Sequence, residues 1–96
     1  MERYDVIIVG AGAVGSAVAR ELSRKKGKFL VVEKALDVCE GTSKANSAII
    51  HAGFDAEPGT MKAKMNVKGN QMMDKLSEEL DIPFKRVGAF VVCFAE

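Results

Sequence analysis

The chain is poor in the residues that several functional classes depend on. Its 96 residues include one histidine, one tyrosine, two prolines and no tryptophan. So few aromatics leave little from which to build a base-stacking surface. Lys and Arg (14) almost balance Asp and Glu (13), for a net charge of +1. That balance gives no electrostatic case for nucleic acid or for an anionic membrane. Cys39 and Cys93 are too far apart for a Cys-x-x-Cys motif, and with a single histidine no zinc site is credible, so no metal is expected. Two ordinary thiols and no signal peptide suggest a reducing compartment and a soluble, cytoplasmic chain. The early apolar run Val6–Val9 is far too short to span a membrane or form a signal core. At 48% hydrophobic and 28% charged, the composition is that of a globular domain rather than a disordered tail.

The β-branched run ending at Val9 meets Gly10, and its continuous apolarity fits a parallel strand buried on both faces. From Ala13 to Lys26 the period becomes helical. Val14, Ala17, Val18 and Leu22 share one face, with Arg20, Glu21, Arg24 and Lys25 opposite, and Gly27 is the expected stop. Phe29–Val32 reads as a second buried strand with Glu33 at its carboxyl end. Strand, glycine turn, helix, strand is a βαβ unit. The chain then turns small and polar from Leu36 to Ala48, with a brief extended piece expected at Ala48–Ile50. Thr60 is placed to cap a helix running to about Leu80, ended by Ile82-Pro83. Met61, Met65, Met72, Met73, Leu76 and Leu80 form its apolar side, read as core packing, and Lys62, Lys64 and Lys68 a solvated face. Val87–Phe94 reads as a further strand.

Gly10, Gly12 and Gly15 give the spacing GxGxxG, and each has a physical task. Gly10 permits the tight turn out of the strand, where a side chain would clash. Gly12 lets the backbone approach a pyrophosphate, and Gly15 lets the helix pack closely on the sheet. Free N–H groups around Ala13 and Val14 are expected to face the phosphates, assisted by the helix dipole. Glu33 follows Gly15 by 18 residues, near the spacing of about 20 expected for an acid that binds a ribose hydroxyl pair. Its charge disfavours a 2′-phosphorylated ligand. Lys34, beside it, is a partial counterweight and completes the set on this strand end. The fingerprint fits FAD and NAD alike.

The stretch Gly41-Thr-Ser-Lys-Ala-Asn-Ser-Ala-Ile-Ile-His-Ala-Gly53 resembles a segment of the D-amino-acid-oxidase-like flavoprotein superfamily. With Pro58-Gly-Thr-Met-Lys-Ala63 it is most similar to glycerol-3-phosphate dehydrogenases and L-2-hydroxyglutarate oxidases. The likeness runs from Asp5 to about Phe94, specific as to superfamily and looser as to substrate. It implies FAD as cofactor, the Thr42-Ser43 turn over the pyrophosphate, and the segment through His51 beside the isoalloxazine. Small Ala48, Ala52 and Gly53 would let a flat ring come close, and Asn46 and Ser47 either contact the cofactor or brace the turn. Two readings stand for His51. It accepts the substrate hydroxyl proton as hydride leaves for the flavin, or it shapes the pocket through hydrogen bonds.

The expected fold is α/β: an incomplete Rossmann-like dinucleotide-binding βαβ unit, followed by a helix and the first strand of a substrate domain. Residues 1–80 are expected to be the amino-terminal part of an FAD-binding domain and 81–96 the start of the substrate domain. The expected activity is hydride transfer from a small anionic alcohol to flavin, as in glycerol-3-phosphate dehydrogenases. A 2-hydroxyacid oxidase and a cofactor-binding module without chemistry of its own are the alternatives, with an NAD-dependent dehydrogenase third. The piece is expected to be inactive alone and to self-associate through exposed apolar surface.

Overall fold

A computed structural model describes residues 1–95. Four elements follow one another: β1 (Val6–Val9), α1 (Ala13–Leu22), β2 (Phe29–Val32) and α2 (Met61–Leu80). Two compact units divide the chain, Met1–Ala48 and the residues from Ile49 onward.

In the first unit β1 and β2 pair in parallel, with Val6 opposite Phe29 and Val9 opposite Val32. Parallel neighbours need a crossover rather than a tight hairpin, and α1 supplies it, packing on both strands. Backbone bonds prolong the ladder at each end. Asp5 N donates to Lys28 O at 2.8 Å and Gly10 N to Val32 O at 2.7 Å. The Asp5 carboxylate also accepts Lys28 N at 2.7 Å, so the strand entrance is closed by a side chain as well.

Burial on both faces of β1, expected from the unbroken apolar run, is not found. Ile8 is buried whereas Val6, Ile7 and Val9 are exposed, because a two-stranded sheet leaves much of the strand's surface uncovered. The inward face of α1 also differs from expectation. Val14 and Val18 are exposed, whereas Gly15, Ala19 and Leu22 are half-buried. The close approach is made at a glycine, which hydrophobic periodicity does not register. The helix stops at Leu22 rather than at Lys26, and Arg24 N and Lys25 N turn back onto Glu21 O and Leu22 O.

In the second unit α2 starts where the sequence indicates. The Thr60 hydroxyl accepts Ala63 N at 3.2 Å and donates to Glu57 O at 2.7 Å. Asp81 ends the helix in the left-handed region (φ 53°). Ile82 N reaches Ser77 O at 2.9 Å and Asp81 N reaches Glu78 O, the paired bonds of a Schellman stop, with Pro83 just beyond. The methionine side is not a core among the described residues. Met61, Met65 and Met72 are exposed, and no residue of α2 is fully buried. Two expected extended pieces are also absent. Ala48–Ile50 forms no ladder, with Ala48 at φ 54°. Val87–Phe94 pairs with no strand among the described residues, and Gly88 within it takes φ 76°. Strand propensity there finds no partner to satisfy.

Candidate functional site

The turn between β1 and α1 owes its shape to glycines that differ in kind. Gly10 sits at φ 105°, outside the range of ordinary L residues, although a Cβ there would meet nothing within 4 Å. Its task is therefore conformational, not the steric one expected. A Cβ on Gly15 would fall inside the carbonyl of Gly10 and 3.4 Å from Ile8 Cγ2, so Gly15 lets α1 lie on the strand, as expected. A Cβ on Gly12 would meet Ser43 Oγ at 3.0 Å. That contact arises because Ser43 caps the helix.

Gly12 occupies the N-cap position of α1 and has no side chain to cap with. Ser43 Oγ accepts Ala13 N, 30 residues before it, at 2.8 Å in its place. The expected free amide at Ala13 is thus already bonded. Gly12 O takes Ser16 N at 2.9 Å, the first regular helical bond. The amides of Val14 and Gly15 find no protein acceptor among the described residues. First-turn amides of this kind attract anions, with the helix dipole adding to the effect.

Glu33 brackets the other side. Its Oε2 accepts Ala11 N at 2.8 Å and its Oε1 accepts Ala35 N at 3.0 Å. The amide of Ala11, then that of Ala35, holds the carboxyl below the ordinary carboxylate range, with Lys34 adding a smaller pull. Each oxygen uses one acceptor site on these bonds and keeps capacity for a further donor, as a ribose hydroxyl pair would need. Ala11 is gripped from both sides, since its carbonyl accepts Cys39 N at 3.0 Å. Nothing in the residue pattern signals that role for Cys39.

The turn carrying Ser43 is braced from within. Lys44 N and Ala45 N bond back to Gly41 O and Thr42 O. Asn46 Nδ2 donates to Thr42 O and Ser43 O at 3.1 and 2.9 Å, while its Oδ1 accepts Ala48 N at 2.8 Å. Of the two roles open to Asn46, these bonds show bracing.

These parts surround one cleft of about 1140 Å³. That exceeds the range of about 300–1,000 Å³ common for small-molecule sites. Gly10, Gly12, Ala13, Val14, Gly15, Glu33, Lys34, Thr42 and Ser43 all line it, with apolar walls from Ile8, Val9, Val18 and Val32. An anion-seeking helix start, a carboxylate with unused acceptor sites and an apolar wall fit a dinucleotide with its pyrophosphate at the helix.

His51 belongs to the second unit. Its Nδ1 lies 3.4 Å from Asp55 Oδ2 and its ring is exposed. Its carbonyl accepts Asn70 Nδ2 at 3.0 Å. Asp55 and Asn70 were not legible as site residues, because neither falls in a motif.

Residues 5–96 match the family described as "DAO: FAD dependent oxidoreductase". The chain is 56% identical over 91 residues to a "Glycerol 3-phosphate dehydrogenase" of Caloramator mitchellensis, a match covering 95% of this chain and 19% of that protein. It is 41% identical over 91 residues to the "L-2-hydroxyglutarate dehydrogenase, mitochondrial" of Arabidopsis thaliana, again 95% of this chain and 19% of that one. Against the "Glycerol 3-phosphate oxidase" of Mycoplasma pneumoniae the identity is 39% over 97 residues, covering all of this chain and 25% of that protein. The chain therefore spans about a fifth to a quarter of the length of these curated relatives. It belongs to the FAD-dependent oxidoreductase family, whose cofactor is FAD.

Proposed function

We propose that this chain is the amino-terminal portion of a flavin-dependent dehydrogenase that oxidises a small anionic alcohol, with glycerol 3-phosphate the first candidate. Residues 1–80 then belong to its FAD-binding domain, and 81–96 open its substrate domain. One observation carries the cofactor side of this reading: the α1 N-terminus, with two amides lacking protein acceptors among the described residues, and Glu33 line the same cleft. In it Gly12, Ala13, Val14 and Gly15 form the backbone bed for the pyrophosphate, with Thr42 and Ser43 beside them. Glu33, with Lys34 next to it, meets the adenosine ribose. Bound FAD supplies the acceptor for the substrate hydride.

His51 takes the substrate hydroxyl proton in this reading. A carboxylate near Nδ1 favours the tautomer whose Nε2 is free to accept a proton, and Asp55 Oδ2 lies 3.4 Å from His51 Nδ1. The relatives named for glycerol 3-phosphate support that substrate. The relative named for L-2-hydroxyglutarate supports a 2-hydroxyacid as second candidate.

The test uses the full-length protein. Its absorption spectrum should show bound flavin, and anaerobic glycerol 3-phosphate should bleach it faster than L-2-hydroxyglutarate does. His51→Ala should slow the bleaching by about 10²–10⁴-fold while FAD stays bound, the usual scale for a lost general base. Bleaching by the hydroxyacid alone would move the substrate assignment. A flavin that neither compound reduces would leave a binding module without this chemistry.

A further inference from the structure

His51 is held through its main chain, and the holding group is itself fixed. Asn70 Nδ2 donates to His51 O at 3.0 Å. Asn70 Oδ1 accepts Arg86 Nη1 at 2.9 Å, and its main-chain oxygen accepts Arg86 Nη2 at 2.9 Å. A guanidinium has only donors. The amide oxygen must therefore face Arg86, which turns the amide nitrogen to the His51 carbonyl. A flipped amide would set donor against donor at Arg86 and acceptor against acceptor at His51.

Arg86 is anchored in turn. Its Nε and Nη2 meet Asp74 Oδ1 and Oδ2 at 2.9 and 2.8 Å, a two-pronged pairing with fixed geometry. Its guanidinium also lies 5.3 Å from the centre of the Phe84 ring. Asp74 stands four residues after Asn70 on α2 and so on the same helical face. The loop after His51 is pressed on that helix too. Gly53 takes φ 114°, and a Cβ there would meet Val67 Cγ2 at 2.7 Å.

We propose that Asn70 is a positioning residue for His51, locked by the Arg86–Asp74 pair so that α2 sets the height and direction of the imidazole. The inference rests on the reading of His51 as proton acceptor. It assigns to Asn70 a role in the reaction that no contact with substrate or cofactor requires. An error of about 1 Å in a reacting group can cost about 10²-fold in rate, so a His51 carbonyl held by one amide is a sensitive point.

A double-mutant cycle in the full-length enzyme tests it. Flavin reduction is followed by anaerobic rapid mixing with glycerol 3-phosphate, or with L-2-hydroxyglutarate if only that compound reduces the flavin. Asn70→Asp keeps the side-chain shape but sets an acceptor against the His51 carbonyl. It should slow reduction by about 10–100-fold with FAD content unchanged, and should slow it no further once His51→Ala is present. Arg86→Lys, which keeps the charge but cannot grip Asp74 and Asn70 together, should behave the same way with a smaller loss. It carries the test if Asn70→Asp does not fold. Equal slowing with and without His51 would make Asn70 a general structural brace and overturn the proposal, as would parent-like rates in both variants. A parent-like rate in His51→Ala alone would instead sink the reading of His51 on which the proposal rests.

Discussion

The amide of Ala11 donates to Glu33 Oε2 at 2.8 Å across 22 residues of sequence, so the acid after the second strand holds the glycine turn after the first. The same carboxylate receives Ala35 N. Glu33 thus ties the end of β2 to the turn that follows β1.

That tie should be visible as a pH dependence. The folded protein holds the Glu33 carboxyl below its ordinary value of 4.5. The stabilisation is therefore complete above about pH 4.5 and is lost as the pH falls through the lower folded value. Glu33→Gln should lower the melting temperature of the full-length protein most near neutral pH, with the gap to the parent closing below about pH 4.5. A gap that stays constant from pH 7 to 3 would show that the bracket does not depend on charge. Glu33→Ala should also weaken FAD binding by about tenfold to a hundredfold, the scale of a charged hydrogen bond.

Substitutions at the three glycines should rank by mechanism. Gly15→Ala drives a methyl into the Gly10 carbonyl and should cost most, in melting temperature and in retained FAD. Gly10→Ala has open space but an unsuitable φ, a strain of about 1–3 kcal/mol. Gly12→Ala meets only the Ser43 hydroxyl, and Ser43→Gly in the same chain should relieve much of its penalty. Additive losses at Gly12 and Ser43 would contradict that contact.

Thr60→Ala removes the hydroxyl that caps α2 and should cost about 1 kcal/mol, whereas Thr60→Ser should be nearly neutral. Thermal or denaturant unfolding of the full-length protein measures both. Equal losses in the two variants would mean that the methyl, not the hydroxyl, matters.

The sequence was most informative where local chemistry decides the structure. Both strands of the βαβ unit, the start of α1 and the limits of α2 are carried by short-range signals such as the glycine turn, the Thr60 cap and Ile82-Pro83. The cofactor set read from the fingerprint and the Thr42-Ser43 turn lines one cleft. What could not be read depends on partners distant in sequence. Ser43 replaces the missing cap of Gly12 by bonding Ala13 N, and no periodicity links residues 30 apart. Val87–Phe94 has the composition of a strand, but a strand is defined by its neighbour. The methionine face of α2 reads as core from its spacing, yet spacing says only that a face is apolar, not what covers it. The Asn70–Arg86–Asp74 arrangement consists of ordinary surface residue types that acquire meaning only once brought together.

Every outside grip on the glycine turn comes from residues made after it: Val32 O for Gly10 N, Glu33 for Ala11 N, Cys39 for Ala11 O and Ser43 for Ala13 N. On a ribosome, where the chain emerges in order at about 5–20 residues per second, β1 and α1 are exposed before any of these grips exist. The strand ladder can close once Val32 has appeared, but the turn stays loose until Ser43 follows. The amino-terminal end of α1 thus takes its final form after the strands beneath it.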